Sequence, residues 1–250
     1  MTISIVTPTW NNVETLIRCV ESVRDLTRDI EWRMIVVNNG STDGTHEYLT
    51  DVCDRDSRIT VLDLPENLGF IGGTNAGLAT VVPGEHVLLL NDDTQVTDPD
   101  WLVRMRATFD DPQVGAVGPV SNYASAWQAA SFSYQVPVLV HSTQVLIGFC
   151  MLIRSAAFQK VGLLDDRFGD NQFDDYDISW RLIDAGYKLM VRRDVFLLHY
   201  GNASTGKVGR NGFQERLKRG KAILVNKWGD ERLKDALSLP EDLRDDAPTA

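Results

Sequence analysis

Three times in its first 81 residues the chain passes from a short β-rich run into a helical pattern: Ile3 to Thr7 then Val13 to Leu26, Arg33 to Val37 then Thr45 to Cys53, and Ile59 to Leu62 then Ile71 to Val81. A fourth run, Val87 to Leu90, is apolar at every position, as a strand at the centre of a sheet covered on both faces must be. This repeated β-α unit predicts an α/β fold, a Rossmann-like mixed sheet with helices on both faces. In open sheets of this kind ligands bind beyond the carboxyl ends of the strands, so the chemistry is sought there.

The second half is less regular. A helix is expected from near Pro99, with Asp98 as its cap and Trp101, Leu102 and Met105 on one face, followed by a strand over Val114 to Pro119. Ser121 to Val140, rich in Ser, Ala and aromatic residues without helical period, reads as a loop-rich insertion able to shape an acceptor site. Order returns at Val145 to Ile153, then in a helix from about Asp174 to Ala185 and in strands near Leu189 to Val191 and Phe196 to His199. Gly206 to Gly212 is Gly-rich and basic, a candidate mobile loop, and Phe213 to Trp228 has helical apolar spacing. No linker separates two domains: residues 1–205 form the main domain, 206–239 a loop and helix packed on it, and 240–250 an acidic, flexible tail.

Composition excludes several partners. A 250-residue chain with 43% apolar residues can bury one large core, while a formal charge of −10 argues against nucleic acid, whose phosphates need clustered Lys and Arg. Cys19, Cys53 and Cys150 are odd in number and widely spaced, which points to reduced thiols and a cytoplasmic setting. No apolar run is long enough to span a bilayer; the basic 207 to 221 stretch allows peripheral membrane contact, although a solvated helix face explains it more simply.

Polar residues collect at the strand ends. Pro8-Thr9-Trp10 follows the first strand and Asn38-Asn39 the second; their amides and hydroxyls can read a base and ribose, or can merely build turns and caps. Asn67, Gly69, Gly72, Gly73 and Asn75 lie where a helix starts, and backbone N–H groups there can approach a diphosphate. Asn91-Asp92-Asp93 closes the most apolar strand, where Asp93 can bind Mg²⁺ or Mn²⁺ or simply make a turn. Asp174 and Asp175 open an amphipathic helix, an arrangement that suits the helix dipole equally well, but the acid-rich 162–169 loop before them crowds negative charge unless a cation or basic substrate is near. His199 ends an apolar strand, as a structural histidine or as a ligand.

In this order along the chain, the motifs resemble the family 2 glycosyltransferases of the GT-A fold, inverting enzymes that use nucleotide-sugars. Ser4-Ile5-Val6-Thr7-Pro8-Thr9-Trp10-Asn11 is similar to that family's opening strand, Val36 to Gly44 to its nucleotide-reading strand end, Asn67 to Gly77 to its glycine-rich element and Leu90-Asn91-Asp92-Asp93-Thr94 to its D-x-D element. Gly148 to Arg154 resembles the strand before its acceptor region. The resemblance implies a nucleotide-diphosphate sugar as donor, Mn²⁺ or Mg²⁺ on Asp93 with His199 as a further ligand, and Asp175 as the base in an E-D-x-D-like segment. It leaves glycan, lipid-linked and protein acceptors open. Asn38 stands where the family usually has Asp, Asn91 where a strict D-x-D has its first carboxylate, and Asp174 where Glu is common.

The implied reaction is one in-line displacement; separately, the composition and position of the 206–212 loop suggest Lys207 or Arg210 as a cation that closes over the diphosphate. Two other readings remain: a sugar-1-phosphate nucleotidyltransferase, expected to carry a Gly-rich basic loop where this chain has Pro8-Thr9-Trp10, and a non-catalytic nucleotide-sugar or glycan-binding module on the same scaffold.

Overall fold

The structure is a computed structural model that describes residues 1–130, 140–201 and 209–237. Its frame is four parallel strands, β1 (Ile3–Thr9), β2 (Trp32–Asn39), β3 (Ile59–Leu64) and β4 (His86–Leu90), with β1 between β2 and β4 and β3 outside β2. The central strands β1 and β4 are buried at every position, whereas edge strand β3 is mostly not, which is why β4 reads as an unbroken apolar run. The sheet continues through β5 (Thr94–Val96), β6 (Val114–Ser121), β7 (Val140–Thr143), β8 (Cys150–Ile153) and β9 (Lys188–His199) in the order β3-β2-β1-β4-β8-β6-β9-β5, with β7 also on β9. Antiparallel β8 between β4 and β6 makes the sheet mixed.

Side chains leave each strand alternately to two cores. Ile5, Met34, Val36, Leu88 and Leu90 join a core beneath α1 (Val13–Leu26), α2 (Thr45–Arg55) and α4 (Trp101–Ala107). Their neighbours Val6, Ile35, Val37, Val87 and Leu89 join the other, beneath α3 (Gly69–Leu78), α5 (Ser155–Val161) and α6 (Asp174–Asp184). Helix α1 shows the pattern at work: Leu16, Cys19, Val20 and Val23 recur every three or four residues and all are buried. Helix α3 approaches the sheet more closely because Gly77 has no Cβ, which would lie 2.6 Å from Val6 and 2.7 Å from Val37. Two further helices, α7 (Gly209–Trp228) and α8 (Asp230–Leu237), add Leu224 and Leu233 to the second core.

Three expectations change. The strands near Leu189 to Val191 and Phe196 to His199 are one strand, β9, whose register against β6 jumps between Pro119↔Arg192 and Val120↔Phe196. The polar Arg192 and Asp194 that interrupt the apolar pattern pair with each other at the jump, at 2.7–2.9 Å. Residues 209–212, expected in a loop, are the first turn of α7; 206–208, like the 240–250 tail, lie outside the described residues. Within the 121–140 insertion, a 3-10 turn at Ala126–Gln128 buries Gln128, which donates to the Pro119 carbonyl (2.9 Å) and accepts from Ile147 N–H (2.6 Å), while 131–139 lie outside the description. Among the described residues no helix is long and apolar enough to cross a membrane.

Candidate active site

A cleft of about 760 Å³ opens at the carboxyl ends of β1, β2 and β4. Pro8, Thr9, Trp10, Asn39, Asn67 and Gly69 line one part of it, Asn91, Asp92, Asp93 and His199 another, and Asp174 and Asp175 a third.

The Asp93–His199 pair is a product of sheet topology. A tight turn, Thr94 N–H to the Asn91 carbonyl, sends the chain from β4 into β5, and β5 runs antiparallel to β9 with Thr94 opposite His199. Asp93 thereby lies beside the last residue of β9, and the two side chains meet with Asp93 Oδ1 3.1 Å from His199 Nε2. Both residues are buried, and that Asp93 oxygen receives no well-aligned hydrogen bond. The imidazole itself is fixed: it stacks on Phe149, and its Nδ1 lies 2.7 Å from the Tyr123 carbonyl. A carbonyl only accepts, so Nδ1 carries the hydrogen and Nε2 is turned to Asp93. Burial pulls the His199 pKa down, but the Asp93 carboxylate, with the Tyr123 carbonyl, outweighs it and the net shift is upward. Neutral His199 would set its Nε2 lone pair against the carboxylate, so the pair calls for a positive charge between or upon its members: a proton or a metal cation. Asp92 turns toward β1, where Thr9 Oγ1 donates to it at 2.7 Å.

Asp174 and Asp175 are aimed by an unusual backbone. Phe173 precedes them at φ 81°, in the left-handed region that a bulky residue rarely adopts. Asp175 accepts from Gly148 N–H (3.3 Å) and Tyr176 N–H (2.9 Å). Burial pushes both carboxyls above the usual carboxylate range; the neighbouring Asp175 charge raises Asp174 further, while the backbone N–H bonds partly offset the rise at Asp175. One turn on, fully buried Asp177 holds Arg181 (2.9 Å), Lys227 (2.6 Å) and Trp228 Nε1 (2.8 Å). The acid crowding foreseen around the 162–169 loop is thus relieved in part by the chain itself: Lys227 also reaches Asp165, and Arg216 reaches Asp170 at 3.3 Å.

Four residues expected at the nucleotide do not line the cleft. Asn38 braces the turn after β2, accepting from Ser41 N–H and donating to Asp63. Gly72 and Gly73 lie within α3, where Gly73 lets the helix pass the Asn39 side chain; a Cβ there would stand 2.8 Å from its amide nitrogen. Asn75 fastens α3 to the 162–168 loop through Leu164 and Asp166. Conversely, Asn122, Tyr123, Phe213 and Arg216 line the cleft without having been singled out. Arg216 and Arg219 of the basic stretch reach the loop before α6, Arg219 bonding Asn171, while Lys218, Arg219 and Lys221 are exposed on the helix surface. Lys207 lies outside the described residues, as does the side chain of Arg210.

Residues 4–162, more than half of the chain and every strand end described above except that of β9, match the family model described as glycosyl transferase family 2. The chain belongs to glycosyl transferase family 2. Among relatives of this transferase family, the pre-mycofactocin glycosyltransferase of Mycobacterium tuberculosis is 29% identical over 212 residues, covering 79% of this chain and 42% of that protein. The succinoglycan biosynthesis protein ExoA of Rhizobium meliloti is 26% identical over 212 residues, covering 80% and 63%. The chain thus spans less than two thirds of the length of either relative. Among solved structures, the mannosyltransferase PcManGT from Pyrobaculum calidifontis, in complex with GDP-Man and Mn²⁺, superposes with a TM-score of 0.66 at 18% identity over 99% of this chain and 76% of that one. The family 2 chain therefore has the GT-A fold expected of it.

Proposed function

We propose that this family 2 chain is a metal-dependent, inverting glycosyltransferase that moves a sugar, a hexose or its derivative, from a nucleotide-diphosphate sugar to an acceptor hydroxyl in glycan or glycoconjugate synthesis. The observation that carries the proposal is that a buried carboxylate–imidazole pair suited to a cation, a carboxylate suited to a base, and the β1 and β2 strand ends all open on one cleft.

Pro8, Thr9, Trp10 and Asn39 would hold the nucleotide, and Asn67, Gly69, Asn91 and Asp92 would border the donor. Asp93 and His199 would hold Mn²⁺ or Mg²⁺. No group of three or more potential ligand side chains occurs among the described residues, so donor oxygens and water would complete the shell. When bound, the cation supplies charge to stabilise the departing nucleoside diphosphate. Mn²⁺ and GDP-Man in the structural neighbour support that pairing. Asp175, whose burial makes it a stronger base than an exposed aspartate, accepts the proton of the acceptor hydroxyl as that oxygen bonds to the anomeric carbon and the carbon–oxygen bond to the diphosphate breaks. Attack opposite the leaving group inverts the anomeric centre. Arg216 is the single Lys or Arg among the described lining residues, and it adds a cation at the cleft to the one expected of Lys207 or Arg210. The free thiols of Cys19, Cys53 and Cys150 support a cytoplasmic setting.

The test is a screen of nucleotide-sugars for nucleoside diphosphate release with and without Mn²⁺, with Asp93→Asn and Asp175→Asn alongside. Metal-dependent release that both substitutions impair supports the reading; tight donor binding with no release in the presence of any sugar acceptor would instead favour the binding-module alternative.

A further inference from the structure

The charge of the cleft narrows the acceptor. Among the described residues five carboxylates line it, Asp92, Asp93, Asp170, Asp174 and Asp175, against Arg216, which already leans on Asp170. A divalent cation and the diphosphate of a nucleotide-sugar roughly cancel one another, so the described residues leave the loaded cleft with most of their own negative excess, even with Asp174 protonated, its carboxyl pKa being pushed up by burial and by the neighbouring Asp175 charge. Its 760 Å³ correspond to a width of roughly 9 Å, about one Debye length at physiological ionic strength, so an anion anywhere inside feels that excess with little screening. The acceptor must enter this space to reach Asp175. Two further features are independent of charge. Tyr123 is 50% exposed at the rim, its ring held edge-on to His199 and backed by Gly201, where a Cβ would stand 2.6 Å from the ring. Phe213 lines the cleft from α7. Aromatic faces offer a platform for the C–H face of a sugar ring, and carboxylates accept hydrogen bonds from its hydroxyls.

We infer that the acceptor is the uncharged hydroxyl-bearing ring of a neutral sugar, presented against Tyr123 and Phe213, and that the carboxylates about Asp170 and Asp174 select against sugars carrying a carboxylate or phosphate. The inference rests on the transferase reading. Asp170 acts as a specificity residue: it lies in the loop before the base, its charge only partly met by a 3.3 Å contact with Arg216.

The experiment compares one neutral alkyl hexoside with the corresponding uronide and 6-phosphate as acceptors, at saturating donor and Mn²⁺, for the wild type and for Asp170→Asn, Asp170→Lys and Tyr123→Ala. The neutral acceptor is expected to be used with kcat/KM at least about tenfold above either anion, with the margin shrinking as salt is raised. Asp170→Asn and Asp170→Lys are expected to narrow the margin progressively by improving the anions, and Tyr123→Ala to raise KM for the hexoside. Equal or better use of the uronide by the wild type, or a margin unmoved by both Asp170 substitutions, overturns the inference and leaves the transferase reading in place. Absence of Mn²⁺-dependent release from every donor overturns the transferase reading itself, and this inference with it.

Discussion

Asp93 and Asp175 line the same cleft, one at the end of a strand opposite an imidazole and the other in the first turn of a helix among further carboxylates. Asp93 is placed by the sheet: its partner His199 arrives through β9, and the antiparallel β5–β9 pairing fixes the distance between them. Asp175 is placed by a loop, through Phe173 in a left-handed conformation, the Gly148 N–H and a helix clamped from behind by Lys227 and Trp228. The proposed cation site, built on strand ends, inherits the rigidity of the core, whereas the proposed base, built on a braced loop, depends on contacts made by α7, more than 30 residues later in the chain.

The two stations should therefore fail differently. The largest effect expected is on Asp175→Asn, which removes the proposed base: kcat should fall by about 10²–10⁴-fold with donor affinity nearly unchanged, read from steady-state kinetics and a donor titration. Asp93→Asn should show the reverse emphasis, with Mn²⁺-supported donor affinity falling by about 100-fold. If both variants lost donor affinity equally, the division of labour would be wrong. Next in size is the clamp. Asp177→Ala strips the partner from Arg181, Lys227 and Trp228 and should cost about 3 kcal/mol in denaturant unfolding, because charges gathered around a buried carboxylate lose it.

Smaller effects follow from pH. As the proposed base, Asp175 would work as the carboxylate and its pKa is raised by burial, so kcat/KM should fall as pH drops through a value above the ordinary aspartate figure of about 3.9. For stability, raised carboxyl pKa values mean that the folded chain holds more protons than the unfolded one above pH of about 4, so stability declines as pH rises from there through the folded pKa values. Asp174→Asn should remove part of that decline, stabilising the protein by about 1 kcal/mol at neutral pH and by nothing near pH 3.

The difference between the stations also explains what could be read from the sequence. Strand ends announce themselves: an apolar run that stops at Asn91-Asp92-Asp93, or a β-rich run that stops at Pro8-Thr9-Trp10, marks its own cleft edge, and the sheet brings these segments together. Which way a turn residue faces is not marked. Asn38 and Asn39 are adjacent, yet Asn38 bonds Ser41 and Asp63 inside its turn while Asn39 lines the cleft. Gly72, Gly73 and Asn75 share a motif with Gly69, but one helical turn carries them from the cleft to the packing surface. Tyr123 lies in the segment read as able to shape an acceptor site, though nothing in the sequence marks it above its neighbours; Phe213 and Arg216 enter through tertiary contacts that no local pattern encodes, and Phe173 gives no sign in its identity of a positive φ. The merged strand β9 was hidden because Arg192 and Asp194 break its apolar period while pairing across a register jump.

The central claim is that Asp93 with His199 holds the cation while Asp175 does not. The most direct measurement is Mn²⁺ affinity by electron paramagnetic resonance in the presence of saturating nucleoside diphosphate, for the wild type, Asp93→Asn, His199→Ala and Asp175→Asn. The account predicts tight binding by the wild type and by Asp175→Asn, and a large loss in the Asp93 and His199 variants; Mn²⁺ held equally well without Asp93, or lost with Asp175, would contradict it.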